Sequence, residues 1–165
     1  MNDVKTAARI LVAEDREWLR EILLYRLRAE GFTADGCADG VEAAKQLGSS
    51  EYGLLITDLD MPRKNGMDLV RELRAEGCTM PVILMSGSIT VDPGEVCAEL
   101  GLVAFLQKPF PMEDLLVLVA GVLGVLFARK RGPGGAERLG RESSKGWASV
   151  PPAGRGPVPP VVRDN

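Results

Sequence analysis

Gly53-Leu54-Leu55-Ile56-Thr57, running straight into Asp58-Leu59-Asp60-Met61-Pro62, is the stretch on which the fold turns. The first half carries no polar alternation, which predicts a strand covered on both faces rather than one with a wet side. It ends abruptly in Asp58, so the strand delivers a carboxylate to the edge of its sheet. The same pattern recurs on either side. Ile10-Leu11-Val12-Ala13 is followed by Glu14-Asp15, Pro81-Val82-Ile83-Leu84-Met85 by Ser86, and Val103 to Leu106 leads to Lys108-Pro109. Phe32 to Ala38 supplies a weaker fifth strand.

Helical patterns separate these runs. Trp18 to Glu30 places Leu19, Ile22, Leu23 and Leu27 at helical spacing, and Gly31 closes it. Val41 to Leu47 is a short helix. Asn65 to Glu76 has Met67, Leu69, Val70 and Leu73 on its apolar side and stops at Gly77, Asp92 to Leu100 follows, and Pro111-Met112 opens the last. Five strand–helix pairs with unalternated strands predict an α/β fold, a doubly wound parallel sheet with helices on both faces.

Composition restricts the function classes. The chain has 165 residues, enough for one domain and a tail. Residues 1–128 hold 12 Lys and Arg against 20 Asp and Glu, and residues 129–165 hold 8 against 3. An acidic body argues against nucleic-acid binding by that body, which would need clustered positive charge. Cys37, Cys78 and Cys97 lack CxxC spacing and the chain has no histidine, so the usual zinc sets are excluded and reduced thiols are expected. The polar stretch Met1 to Arg9 lacks the apolar core of a signal peptide. The longest apolar run, Leu115 to Ala128, is interrupted by Gly121 and Gly124 and is short for a membrane span. A soluble, cytoplasmic protein that does not engage membranes is the expectation.

In an open parallel sheet, ligands bind beyond the carboxyl ends of the strands. The fold therefore gathers Glu14, Asp15, Asp58, Ser86 and Lys108 from distant parts of the sequence. Three carboxylates brought together repel unless a cation compensates, and Mg²⁺ suits an all-oxygen set. A carboxylate nucleophile can form an aspartyl phosphate, and phosphoryl transfer needs chiefly positioning and charge neutralisation. Taken singly, Asp58 would pass as a loop cap and Ser86 as turn chemistry; the combination is what points to a site.

Ile10 to Asp15, Asp58 to Pro62 with Gly66, Met85-Ser86-Gly87 and Lys108-Pro109-Phe110 together resemble the receiver domain of two-component response regulators, across roughly residues 8–128. The resemblance implies a flavodoxin-like (βα)5 fold of five strands in the order 2-1-3-4-5. It implies Asp58 as phosphoacceptor, and Asp15, Glu14 and the main-chain carbonyl of Asp60, with Asp58, as ligands of Mg²⁺. Ser86 would sense the phosphoryl group and Lys108 would pair with it. Pro109 would follow, in the family usually through a cis peptide bond, and Phe105 would be the aromatic switch, swinging inward by apolar burial alone. A sensor histidine kinase or histidine phosphotransfer protein is the implied donor. Apart from its own phosphorylation and dephosphorylation, no enzymatic activity is expected.

Two rival readings stand beside this one. Asp58-Leu59-Asp60 also resembles the first motif of haloacid-dehalogenase-type phosphatases, but there the acid pair follows the lysine, whereas here Glu14-Asp15 comes first. The other rival makes the basic tail a DNA-binding output, although the tail has no helix-turn-helix pattern. Residues 1–8 read as an extension, 9–128 as the receiver, and 129–165 as a basic Gly/Pro-rich tail, disordered over 132–165. A stand-alone receiver is expected. The last helix, with Leu115, Leu116, Val117, Leu118, Val119, Val122, Leu123, Val125 and Leu126, has more apolar surface than one sheet can cover. Its spare face is therefore expected to bind a downstream target or a second copy.

Overall fold

The computed structural model describes residues 8–88, 91–124 and 147–149. Strand β1 (Ile10–Ala13) leads to helix α1 (Glu17–Ala29), β2 (Ala34–Cys37) to α2 (Gly40–Ser49), and β3 (Leu54–Asp58) to α3 (Gly66–Ala75). Strand β4 (Val82–Ser86) leads to α4 (Pro93–Leu100), and β5 (Ala104–Gln107) to α5 (Met112–Leu123). The parallel strands stand in the order β2-β1-β3-β4-β5, as the resemblance implies.

Every residue of β1, β3 and β4 is buried, so the sheet has no wet face. Alternate side chains feed two cores. Leu11, Leu55, Leu84 and Phe105 pack with Leu69, Val70, Val96 and Leu100, on the side of α3 and α4. Ile10, Val12, Ile56, Ile83 and Leu106 pack with Leu23, Leu24, Leu27, Leu115 and Val119, on the side of α1 and α5. This double burial fixes the strand register, because a one-residue slip would exchange the two cores.

Local signals set the helix ends. Asp39 accepts from the Val41 and Glu42 amides, Asn65 from Asp68, and Asp92 from Glu95, each satisfying amides that the first turn leaves free. Helix α5 stops at Gly124, whose φ of 65° is the left-handed cap that glycine adopts without strain.

Three features differ from the sequence reading. Ile22 is exposed and Leu24 takes its place in the core, because the face of α1 that meets the sheet is centred on Leu23, Leu24 and Leu27. The spare apolar face expected on α5 is mostly absorbed. Leu115, Leu116, Val119 and Ala120 are buried, Leu118, Val122 and Leu123 pack against the core, and Val117 is the only large apolar side chain exposed on the described helix; Val125 and Leu126 lie outside the described residues. Finally, Trp147–Ser149, inside the segment expected to be disordered, forms a short strand β6 that pairs antiparallel with β5 and makes a sixth strand of the sheet. Residues 125–146 and 150–165 lie outside the described residues.

Candidate functional site

The strands end where the chemistry-bearing residues begin. Glu14 follows β1 and is fully buried, while Asp15 beside it is exposed. The Arg20 guanidinium donates to the Glu14 main-chain carbonyl at 2.7 Å, and Glu14 Oε1 accepts from the Arg16 amide at 3.2 Å, so the turn into α1 is held from two sides. Asp58 closes β3 and is 4% exposed. Its Oδ1 accepts from the Asp60 amide at 3.3 Å.

Lys108 lies just beyond β5 and reaches back across the strand ends. Its Nζ donates to Glu14 Oε2 at 2.7 Å and to Asp58 Oδ2 at 2.9 Å. The peptide bond from Lys108 to Pro109 is cis, the isomer the resemblance implies. Ser86 ends β4, fully buried, and its Oγ accepts from the Ser88 amide at 2.9 Å. A cleft of about 330 Å³ opens above these groups, lined by Asp15, Arg16, Asp58, Asp60, Gly87, Ser88 and Lys108. Glu14 and Ser86 stand behind its lining.

Gly66 explains how the loop after β3 folds back. Its amide donates to the Leu59 carbonyl at 2.9 Å, and a Cβ there would stand 2.2 Å from the Asp58 carbonyl oxygen. Only glycine permits that approach.

The electrostatics are unbalanced in one direction. Burial raises the pKa of Glu14 above the usual carboxylate range; the hydrogen bond from Lys108 opposes that rise, and the nearby Asp58 charge adds to it. Glu14, Asp15 and Asp58 can each bring a carboxylate oxygen within 4.8 Å of the others. Three carboxylates facing one ammonium leave two negative charges uncompensated, and every donor is an oxygen. That chemistry fits a small, hard divalent cation, and of such ions Mg²⁺ keeps waters and takes few carboxylates.

The structure thus brings together Glu14, Asp15, Asp58, Asp60 and Lys108, with Ser86 at the adjoining strand end. Phe105 is placed elsewhere: it is 1% exposed and packed in the core on the α3 and α4 side. Arg16 was missed by sequence reasoning. Its signal was its place next to the acid pair, where any residue between β1 and α1 must border the strand ends. The cysteines are free, and burial pushes the Cys37 thiol up to about 12, so it is inert rather than reactive.

Fold and cleft together define a doubly wound α/β domain with a cluster of carboxylates faced by one lysine at its strand ends. Comparison with known proteins gives the family: the response regulator receiver domain model matches residues 10–120, and the chain belongs to that family. Response regulator MprA of Mycobacterium ulcerans is 32% identical over 117 residues, covering 71% of this chain and 50% of that protein. Response regulator protein PmrA of Pseudomonas aeruginosa is 36% identical over 107 residues, covering 65% and 48%. The chain therefore spans about half the length of these relatives. Among solved structures, a response regulator receiver protein from Pseudomonas putida is 36% identical with a TM-score of 0.66, covering 70% of this chain and 98% of that one. TrrA of Thermotoga maritima, solved in complex with Mg(2+)-BeF, is 28% identical with a TM-score of 0.63, covering 70% and 98%. The chain is a receiver domain of the two-component type, and the phosphatase reading is not favoured. Among the described residues no helix is long and apolar enough to cross a membrane.

Proposed function

We propose that Asp58 accepts a phosphoryl group from a phosphohistidine on another protein. The observation that carries this reading is the Lys108 ammonium 2.9 Å from the Asp58 carboxylate, at the floor of a cleft bordered by Asp15 and Asp60. Glu14, Asp15, Asp58 and the Asp60 main-chain carbonyl would hold Mg²⁺. When bound, the ion supplies positive charge to the carboxylates and to the phosphoryl oxygens.

The chain's own residues do the rest. A carboxylate oxygen of Asp58 attacks phosphorus, the bond from phosphorus to the donor imidazole nitrogen breaks, and the freed imidazole takes up a proton. Lys108 neutralises oxygens of the arriving group, and Arg16 adds charge at the mouth of the cleft. Ser86 can donate its hydroxyl to a phosphoryl oxygen by giving up its local contact with the Ser88 backbone. With no histidine in its sequence, the chain does not carry the donor group itself. Helix α1, which begins beside the cleft, exposes Trp18, Ile22 and Tyr25 at 62%, 46% and 72%. Their spacing puts them on one face, and this face receives the donor protein.

The test is thermal denaturation with Mg²⁺ and beryllium fluoride, a phosphoryl mimic. A rise in Tm in the wild type that is lost in Asp58→Asn is expected. An equal rise in both would remove Asp58 from the role.

A further inference from the structure

The outer edge of β5 has an occupant. On its inner side the Val103 amide donates to the Val82 carbonyl at 3.0 Å. Alternation along an extended strand then turns the backbone groups of Ala104 and Leu106 to the opposite, outer side. Those two residues pair with Ser149 and Trp147 of β6, and Phe105 pairs with Ala148 between them. Left open, such an edge offers unpaired N–H and C=O groups to any extended chain, including the same edge of another molecule.

We propose that the β5 edge is a strand-addition site and that residues 147–149 are its resident occupant, bound in cis and closing the edge to a second copy of the chain. Chain length permits it. The 23 residues from 124 to 146 connect α5 to β6, and extended chain spans up to ~3.3 Å per residue. A short tether of this kind holds its end at an effective concentration on the order of millimolar, above that of separate molecules in dilute solution. The occupant is also replaceable: three residues form fewer ladder bonds than an average strand, so a longer strand presented to the edge displaces it. The inference stands apart from the phosphoryl chemistry, since it rests on backbone pairing alone.

Backbone direction supplies the test. In antiparallel pairing to Ala104 and Leu106, the amides of Trp147 and Ser149 face β5 and that of Ala148 faces away. Amide exchange of the full-length protein is followed by NMR in the wild type, in Trp147→Pro/Ser149→Pro and in Ala148→Pro. The double variant should lose about tenfold protection at Ala104 and Leu106, as expected when a local cap is removed. Phe105, turned toward β4, should not change, and Ala148→Pro should behave like the wild type. Wild-type protection should be the same over a wide range of protein concentration. Equal exchange in wild type and double variant would overturn the proposal. Protection that falls on dilution would also overturn it, by giving the edge to another molecule's strand.

Discussion

Lys108 and Asp58 stand 50 positions apart in the chain and 2.9 Å apart at the site. The same ammonium also holds Glu14 Oε2 at 2.7 Å, and both carboxylates are largely withdrawn from solvent. One cation thus serves two buried anions from separate strands. It ties the end of β5 to the ends of β1 and β3, and it can be recruited by any new negative charge that arrives.

Removing that cation leaves two buried charges poorly compensated. Lys108→Ala is expected to lose about 3 kcal/mol of stability, the usual cost of breaking a buried pair from one side. Mg²⁺ should restore more of that loss in the variant than it adds to the wild type. Urea denaturation with and without Mg²⁺ checks both statements; equal stability of the two proteins would mean that the pair contributes nothing.

Glu14 sets a pH dependence. Its pKa is raised in the folded protein, so the fold binds its proton more tightly than the unfolded chain does. Its contribution is complete below the ordinary glutamate range and declines as pH rises through the higher folded value. Without Mg²⁺, stability should therefore fall as pH rises above the ordinary glutamate range, more steeply in the wild type than in Glu14→Gln. Parallel curves from urea melts across this range would contradict the assignment.

Much of this architecture was legible in the sequence because strands buried on both faces cannot alternate. Leu54 to Ile56 and Val82 to Met85 announced themselves as unbroken apolar runs, and the strands they begin end at Asp58 and Ser86. What escaped was tertiary in origin. Nothing in α1 distinguishes Ile22 from Leu24 until the angle at which the helix lies on the sheet is known. The apolar residues of α5 looked excessive because the depth to which the sheet, α1 and the β5 end enclose that helix is not written in its own periodicity. Strand β6 follows from an available partner edge and not from the composition of a Gly/Pro-rich tail. Phe105 carries equally good signals for a core ring and for a moving one, because an aromatic side chain in a buried strand serves either role with the same sequence pattern.

Gly66 and Gly48 make an opposed pair. Alanine at 66 would press its methyl on the Asp58 carbonyl, while position 48 in α2 has nothing within 4 Å. Gly66→Ala is expected to cost about 1–3 kcal/mol by overpacking and to slow phosphoryl uptake. Gly48→Ala should gain about 0.5–1 kcal/mol from helix propensity and leave uptake unchanged. Thermal melts read the first effect, and a loss in Gly48→Ala as large as that in Gly66→Ala would refute the steric argument.

The exposed face of α1 separates donor recognition from chemistry. Trp18→Ala/Tyr25→Ala should accept phosphate from acetyl phosphate at the wild-type rate, since neither side chain lines the cleft. Transfer from a phosphorylated histidine kinase should slow by about tenfold or more, the effect of losing aromatic anchors from an interface. Equal slowing with both donors would place these residues in the chemistry instead of the docking.

The most direct measurement is intact mass after incubation with acetyl phosphate, with Mg²⁺ or with EDTA, for the wild type and Asp58→Asn. One added phosphoryl group is expected in the wild type with Mg²⁺, and none with EDTA or in Asp58→Asn. The same gain in Asp58→Asn, or no gain in any sample, would contradict the account.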